Sequence, residues 1–471
     1  MRIRYAAALS VLFLAACSGP GGGADSGRPA TAPESTKDDA LSTFALDVDT
    51  ASYDFAARTL DGGALPDRAT IRPEEFVNAF RQDYPRPTGE GVAVTADGSR
   101  APSWYGAAKD ARILRVGVAT RDKPAGDRAP VALTFVVDTS GSMAEPGRLD
   151  LVKDALHYLV DRLGPDDSVG LVSYSTRADV LREMTPVSSR GKLHDAIDEL
   201  EIDGSTNLED GLVTGYEVAR EGFREGAANR VILLSDGLAN TGSTESADIL
   251  EQTKEQAGKG IALLCVGVGS EYGDALMEQL ADKGDGFAVY VAEQEKARRL
   301  FAERLTQTLL VAARDAKAQV AFDEATVKSY RLIGFENRAL ADDDFRDDAA
   351  DGGELGPGHT VTALYEVVLR PEASGPVATA TVRWNSPSGG AAQEVAASIA
   401  TGDLDGEWGA ATLRARVDLL AGSFARVLRG DEETREWLPA LEEEAAALAK
   451  ATDDGEVVRL AGLIGRAREL S

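Results

Sequence analysis

Val131-Ala-Leu-Thr-Phe-Val-Val-Asp-Thr-Ser-Gly-Ser-Met143 is an apolar, β-branched run that stops abruptly at an acid, a glycine and hydroxyl residues. A run of this kind, bounded by turn residues, predicts a strand buried on both faces. In an open α/β sheet, ligands bind at the loops leaving the carboxyl ends of such strands. Asp138, Ser140 and Ser142 stand at alternate positions on that loop and offer only oxygen atoms. Those donors suit a hard divalent cation.

Downstream the pattern alternates between strand and helix. Leu149 to Leu163 places Val152, Leu156, Leu159 and Val160 on one helical face. Ser168–Tyr174, Ala178–Leu181, Arg230–Ser235, Ile261–Val266 and Phe287–Val291 read as strands. Leu193–Leu200, Leu208–Phe223, a stretch ending at Gly258 and Gln294–Arg314 read as helices. The order predicts an α/β fold with a doubly wound, mostly parallel sheet. On such a sheet, Thr206 in Asp203-Gly-Ser-Thr-Asn207 and Asp236 after the second buried strand open on the same edge as Asp138. Two carboxylates and three hydroxyls then surround one point. Mg²⁺ accepts that donor set and keeps room for an incoming oxygen; Mn²⁺ or Ca²⁺ would also fit. Capping of the following helix would explain Asp138 and its serines alone, but not three converging loops.

On either side the character changes. Thr43–Val48, Val92–Thr95 and Arg112–Val118 before the central region read as strands, the last two half-exposed. Ala318–Phe322, Thr326–Gly334, Thr360–Arg370 and Val377–Trp384 follow it. Neither flank has enough strands to close a core alone, so the two are expected to pair into one sandwich. Asp49 or Ser52 would cap a helix running through Leu60, which explains Asp49 more simply than metal binding does; Asp47 is assigned to structure likewise. Ala341–Glu354 is acidic without the EF-hand spacing and reads as a solvated loop. From Trp408 the chain is helical, with Leu413, Val417, Leu420, Phe424 and Val427 forming one stripe.

The amino terminus is a targeting segment. Two arginines precede the apolar Ala6–Ala16, which ends in Leu14-Ala-Ala-Cys17. This resembles the lipobox of bacterial lipoproteins, which implies lipidation of Cys17; an ordinary secretory signal is the alternative. Ser18–Ala40 is rich in Gly, Pro and Ser and predicts a tether reaching about 25–30 Å. The expected divisions are 1–17 signal, 18–40 linker, 41–125 mixed N-terminal region, 129–313 α/β domain, 316–400 β-rich region and 405–471 helices. Among 471 residues the net charge is −28, which opposes binding to nucleic acid or to an anionic lipid surface. Cys265 sits in an apolar run and reads as a buried thiol. His157, His194 and His359 are scattered, without zinc-type spacing, and read as surface or packing residues.

Asp138-Thr-Ser-Gly-Ser142, with Thr206 and Asp236 downstream in order, resembles the metal-ion-dependent adhesion site of von Willebrand factor A (VWA) domains. The flanking segments Thr43–Tyr53 and Gly358–Glu366 resemble those around the VWA domain in bacterial VWA lipoproteins of poorly defined function. The resemblance implies that Ser140, Ser142 and Thr206 ligate the metal directly, and that Asp138 and Asp236 do so directly or through water. It also implies a protein partner donating an Asp or Glu carboxylate, and a last helix, Gln294–Arg314, coupled to the metal loop. The expected function is therefore a lipid-anchored, extracytoplasmic binding module of the bacterial cell envelope. The alternatives are a metal-dependent hydrolase or a structural envelope component. Enzymatic signals are weak: Gly267-Val-Gly-Ser-Glu-Tyr-Gly273 misses the dinucleotide spacing by one residue, and no nucleophile elbow or P-loop is present.

Overall fold

The structure, a computed structural model, describes residues 40–46, 48–89, 91–106, 111–122, 130–236, 246–269, 275–284, 286, 288–291, 311–347, 350, 352–386, 391–434 and 436–471. The signal, Cys17, most of the tether, Asp47 and most of the expected helix Gln294–Arg314 lie outside these residues.

The central unit is built on β4 (Val131–Asp138), in which every residue is buried. Around it run α3 (Leu149–Arg162), β5 (Ser168–Tyr174), β6 (Ala178–Pro186), α4 (Arg190–Asp198), α5 (Leu208–Glu221), β7 (Ala228–Ser235), α6 (Ser246–Ala257), β8 (Ile261–Val268), α7 (Ala275–Lys283) and β9 (Ala288–Val291). The six strands lie in the order β6-β5-β4-β7-β8-β9. All pairs are parallel except the edge pair β5–β6. One face packs Leu133, Phe135 and Val137 against α3 and α4, and the other packs Val136 against α5. Two glycines let α5 press onto the sheet: a Cβ at Gly215 would meet Val136 Cγ2 at 2.3 Å, and one at Gly211 would meet Tyr174 Cγ at 2.7 Å. That contact fixes the loop entering α5 beside the strand ends.

The flanks interleave. β1 (Leu41–Ala45) pairs with β10 (Ala313–Phe322), which continues to β14 (Pro376–Asn385) and β15 (Gln393–Ala400), while the short β12 (Gly353–Leu355) also pairs with β10. The second sheet runs β11 (Val327–Ile333), β13 (Thr360–Leu369), β3 (Ala111–Thr120), β2 (Val92–Arg100). Each sheet thus contains strands from before and after the central unit, the α/β insertion expected from strand counts. β10 begins at Ala313, so the last residues assigned to the helix ending at Arg314 are strand.

β3 is not half-exposed; all ten of its residues are buried. Leu114, Val116 and Val118 face the sandwich core, whereas Ile113 joins a helical layer of α1 (Ala51–Asp61), α2 (Pro73–Asn78), α8 (Leu413–Arg429), α9 (Leu438–Thr452) and α10 (Gly455–Leu470). Its arginines are buried because they are matched: Arg115 binds Asp97 at 2.6 Å and Asp418 of α8 at 3.0 Å, and Arg112 binds Asp405 at 2.9 Å. Neither Asp49 nor Ser52 caps α1. Its N-cap is Thr50, without a side-chain bond, while Ser52 Oγ donates to Thr70 O and Asp49 pairs with Arg338.

Glu74, in the first turn of α2, is buried with Oε2 lacking a hydrogen-bond partner among the described residues. Burial, aided by the nearby Glu336 carboxylate, pushes its carboxyl up to about 7 from 4.5. The folded chain therefore holds this proton more tightly than the unfolded one. The stability it contributes is full below about pH 4.5 and is lost as the pH rises through 7, a loss of about 3 kcal/mol. Glu74→Gln is expected to remove that loss, raising the urea midpoint at pH 8 while leaving it nearly unchanged at pH 4.5. An equal shift at both pH values would contradict the assignment.

Candidate metal centre at the carboxyl edge of the central sheet

Three loops meet where the sequence predicts. Leaving β4, Asp138 is fully buried, and its Oδ1 accepts from the Ser140 amide at 2.9 Å. Its Oδ2 accepts from Ser235 Oγ at 2.7 Å and from Tyr174 Oη at 3.3 Å. Burial raises the Asp138 carboxyl, with the hydrogen bonds from Ser140 and Ser235 opposing it and the Asp236 charge adding to it. The Tyr174 phenol is raised well above its usual range by burial and by Asp138. Ser140 and Ser142 turn toward each other, Oγ to Oγ 3.1 Å. The backbone there is a short 3₁₀ turn, Gly141–Ala144, with Ser140 as its extended N-cap.

The Thr206 loop is stitched to this turn by its backbone. Asp203 N donates to Thr139 O at 2.8 Å, and Gly141 N donates to Gly204 O at 3.2 Å. Thr206 is buried, and Asn207 Oδ1 then caps α5 by accepting from Asp210 N at 3.2 Å. Asp236 leaves β7 beside β4, also buried; its Oδ1 has no hydrogen-bond partner among the described residues.

Arg148 is the residue that sequence reasoning missed. Almost fully buried at the N-cap of α3, it donates from Nη1 to Asp236 Oδ2 at 2.6 Å and to Ser142 O at 3.0 Å. Nη2 reaches Glu145 Oε2 at 2.7 Å. The glycine-rich loop after β8 supports it: at Gly269, φ is +105° and a Cβ would approach Arg148 Nε to 3.0 Å. The visible signal was a basic residue directly before a helix, where the dipole favours acids, so its charge had to be answered elsewhere. Tyr174 and Ser235, the last residues of β5 and β7, were missed as well, although each ends a strand adjoining β4.

The donors fit a hard cation: oxygen atoms only, on three loops, with one buried carboxylate oxygen left over at Asp236. Among the described residues no group of three or more His, Cys, Asp or Glu side chains is placed to hold a metal.

A family model for the von Willebrand factor type A domain matches residues 132–303. One described as the C-terminal part of the uncharacterized protein YfbK matches 307–375, and one described as von Willebrand factor matches 29–110. Uncharacterized protein YfbK of Escherichia coli (strain K12) is 34% identical over 336 residues, covering 70% of this chain and 58% of that protein. Uncharacterized protein sll0103 of Synechocystis sp. is 28% identical over 197 residues, covering 42% of this chain and 46% of that one. The chain thus spans about half the length of these curated relatives. A solved structure of von Willebrand factor type A from Catenulispora acidiphila superposes with a TM-score of 0.50 at 15% identity, covering 77% of this chain and 88% of that one, a likeness of fold.

Proposed function

Starting from a chain that is a bacterial VWA-domain protein with a YfbK-type C-terminal domain, we propose that it is an envelope-anchored binding module that engages a protein partner through a divalent cation. Asp138, Ser140, Ser142, Thr206 and Asp236 would hold the ion, Mg²⁺ being the best match to an all-oxygen cage with two carboxylates. The observation that carries the reading is the buried, unpartnered Oδ1 of Asp236 on the same sheet edge as the Ser140–Ser142 pair. A bound cation would attract one further carboxylate oxygen, which an Asp or Glu side chain of the partner would supply. Asp138 orders the serine turn through its bond to the Ser140 amide. The loop of Thr206 is pinned to the same turn, so the chain prepares the geometry before the partner arrives.

Lipidation of Cys17 and the tether would place this meeting outside the cytoplasm. Among the described residues no helix is long and apolar enough to cross a membrane. A hydrolase would need a general base beside the cage, and the described histidines do not supply it: His157 and His194 bind each other, and His359 accepts from Gly356 N.

The test is a pull-down from envelope extracts with the full chain, in Mg²⁺ and in chelator. A partner retained in Mg²⁺, lost in chelator and lost with Thr206→Ala is the expected result. Partners that are identical under all three conditions would favour the structural reading instead.

A further inference from the structure

His157 and His194 lie 37 residues apart in the sequence, yet they meet across α3 and α4 edge to edge, with ring centroids 4.9 Å apart and ring planes within 22° of each other. Their Nδ1 atoms face each other at 2.7 Å. Each outer nitrogen addresses a carboxylate on the opposite helix: His157 Nε2 to Asp198 Oδ1 and His194 Nε2 to Asp161 Oδ1, both at 3.2 Å. Each helix contributes the same spacing, a histidine followed four residues later by the aspartate that serves the other ring.

Counting protons shows what this arrangement lacks. Its three contacts, Asp198–His157, His157–His194 and His194–Asp161, each need one proton between the facing atoms. Two neutral imidazoles carry only two. If both Nε2 protons serve the aspartates, two bare Nδ1 lone pairs are left pointing at each other. One additional cation between them satisfies every contact.

We propose that this slot is a second metal site, for a divalent transition ion of the Zn²⁺, Ni²⁺ or Cu²⁺ class, ligated by His157 Nδ1 and His194 Nδ1. Imidazole nitrogen suits those ions, whereas the hard Mg²⁺ prefers the oxygen cage. A carboxylate holding the far nitrogen of each ligating histidine is the usual second layer of such sites, and it fixes the tautomer that metal binding requires. With Zn–N bonds of about 2.0–2.1 Å at a tetrahedral ion, the two nitrogens must separate to about 3.3 Å. The two side chains are 30% and 29% exposed, and water would supply the remaining ligands. Lys153, one turn before His157 on α3, is engaged with the carbonyls of Asp198 and Leu200. The slot is separate from the oxygen cage, because His157 lies about 12 Å along α3 from its first residue.

The experiment is Zn²⁺ calorimetry on the full chain carrying Cys17→Ala and Asp138→Ala, in excess Mg²⁺, so that neither the free thiol nor the cage contributes. One equivalent of Zn²⁺ should bind, and affinity should fall at least tenfold on adding His157→Gln or His194→Gln. Asp161→Asn and Asp198→Asn should weaken binding less. No saturable binding, or binding indifferent to both histidine changes, overturns the proposal and leaves the pair sharing a proton alone. Unfolding midpoints of the glutamine variants separate loss of the site from loss of the fold.

Discussion

Asp138→Ala is expected to abolish the stabilisation of this protein by Mg²⁺ while leaving the metal-free chain folded. Even second-layer groups at metal sites are worth about 10–100-fold in affinity, so loss of a central carboxylate should exceed that range. At an Mg²⁺ concentration about 100 times the dissociation constant, the wild type should gain about 2.7 kcal/mol by mass action. The variant should gain nothing measurable. The metal-free protein tolerates the change because two effects oppose each other. Removing Asp138 relieves a buried carboxylate whose ionisation is disfavoured by burial and by Asp236. It also strips acceptors from Ser235 Oγ, the Ser140 amide and Tyr174 Oη. Thermal scans of both proteins with and without Mg²⁺ measure all four corners. A variant that keeps the Mg²⁺ shift would remove Asp138 from the cage.

How far the sequence could lead depended on whether the deciding contacts were local. β4 was legible because seven apolar or β-branched residues in a row can only be buried on both faces, and the alternation from Leu149 to Val291 follows from helical and strand periods. The interleaving of the flanks was legible from strand counts, because the three strands read before the central unit and the four read after it are each too few to close a core separately. β3 misled, since its arginines suggest an exposed face; what buries them is Asp97, Asp405 and Asp418, the last two some 300 residues away. β15 was missed because Gln393–Ala400 is an edge strand with a largely exposed, weakly patterned surface. The meeting of His157 with His194 and the reach of Arg148 to Asp236 depend on tertiary packing, which no local spacing encodes.

Arg148→Ala should make the metal-free protein less stable and its response to Mg²⁺ larger. In the structure the guanidinium is the positive charge that answers Asp236, bonded at 2.6 Å with both side chains about 5% exposed or less. Removing one member of such a buried pair typically costs about 3–5 kcal/mol, because the other is left charged and desolvated. The loss should therefore appear in the metal-free protein as a clear fall in unfolding midpoint. A divalent ion can answer the same carboxylate and would no longer meet a neighbouring cation, so Mg²⁺ should restore most of what was lost. Arg148→Lys separates charge from shape: an ammonium can neutralise Asp236, but it lacks the planar fork that also binds Ser142 O and Glu145. Its metal-free stability should fall between the other two proteins. The contrary outcome is equally informative. If Arg148→Ala weakens Mg²⁺ binding, the arginine orients Asp236 for the ion rather than standing in for it, and the 2.6 Å bond belongs to the occupied cage as much as to the free one.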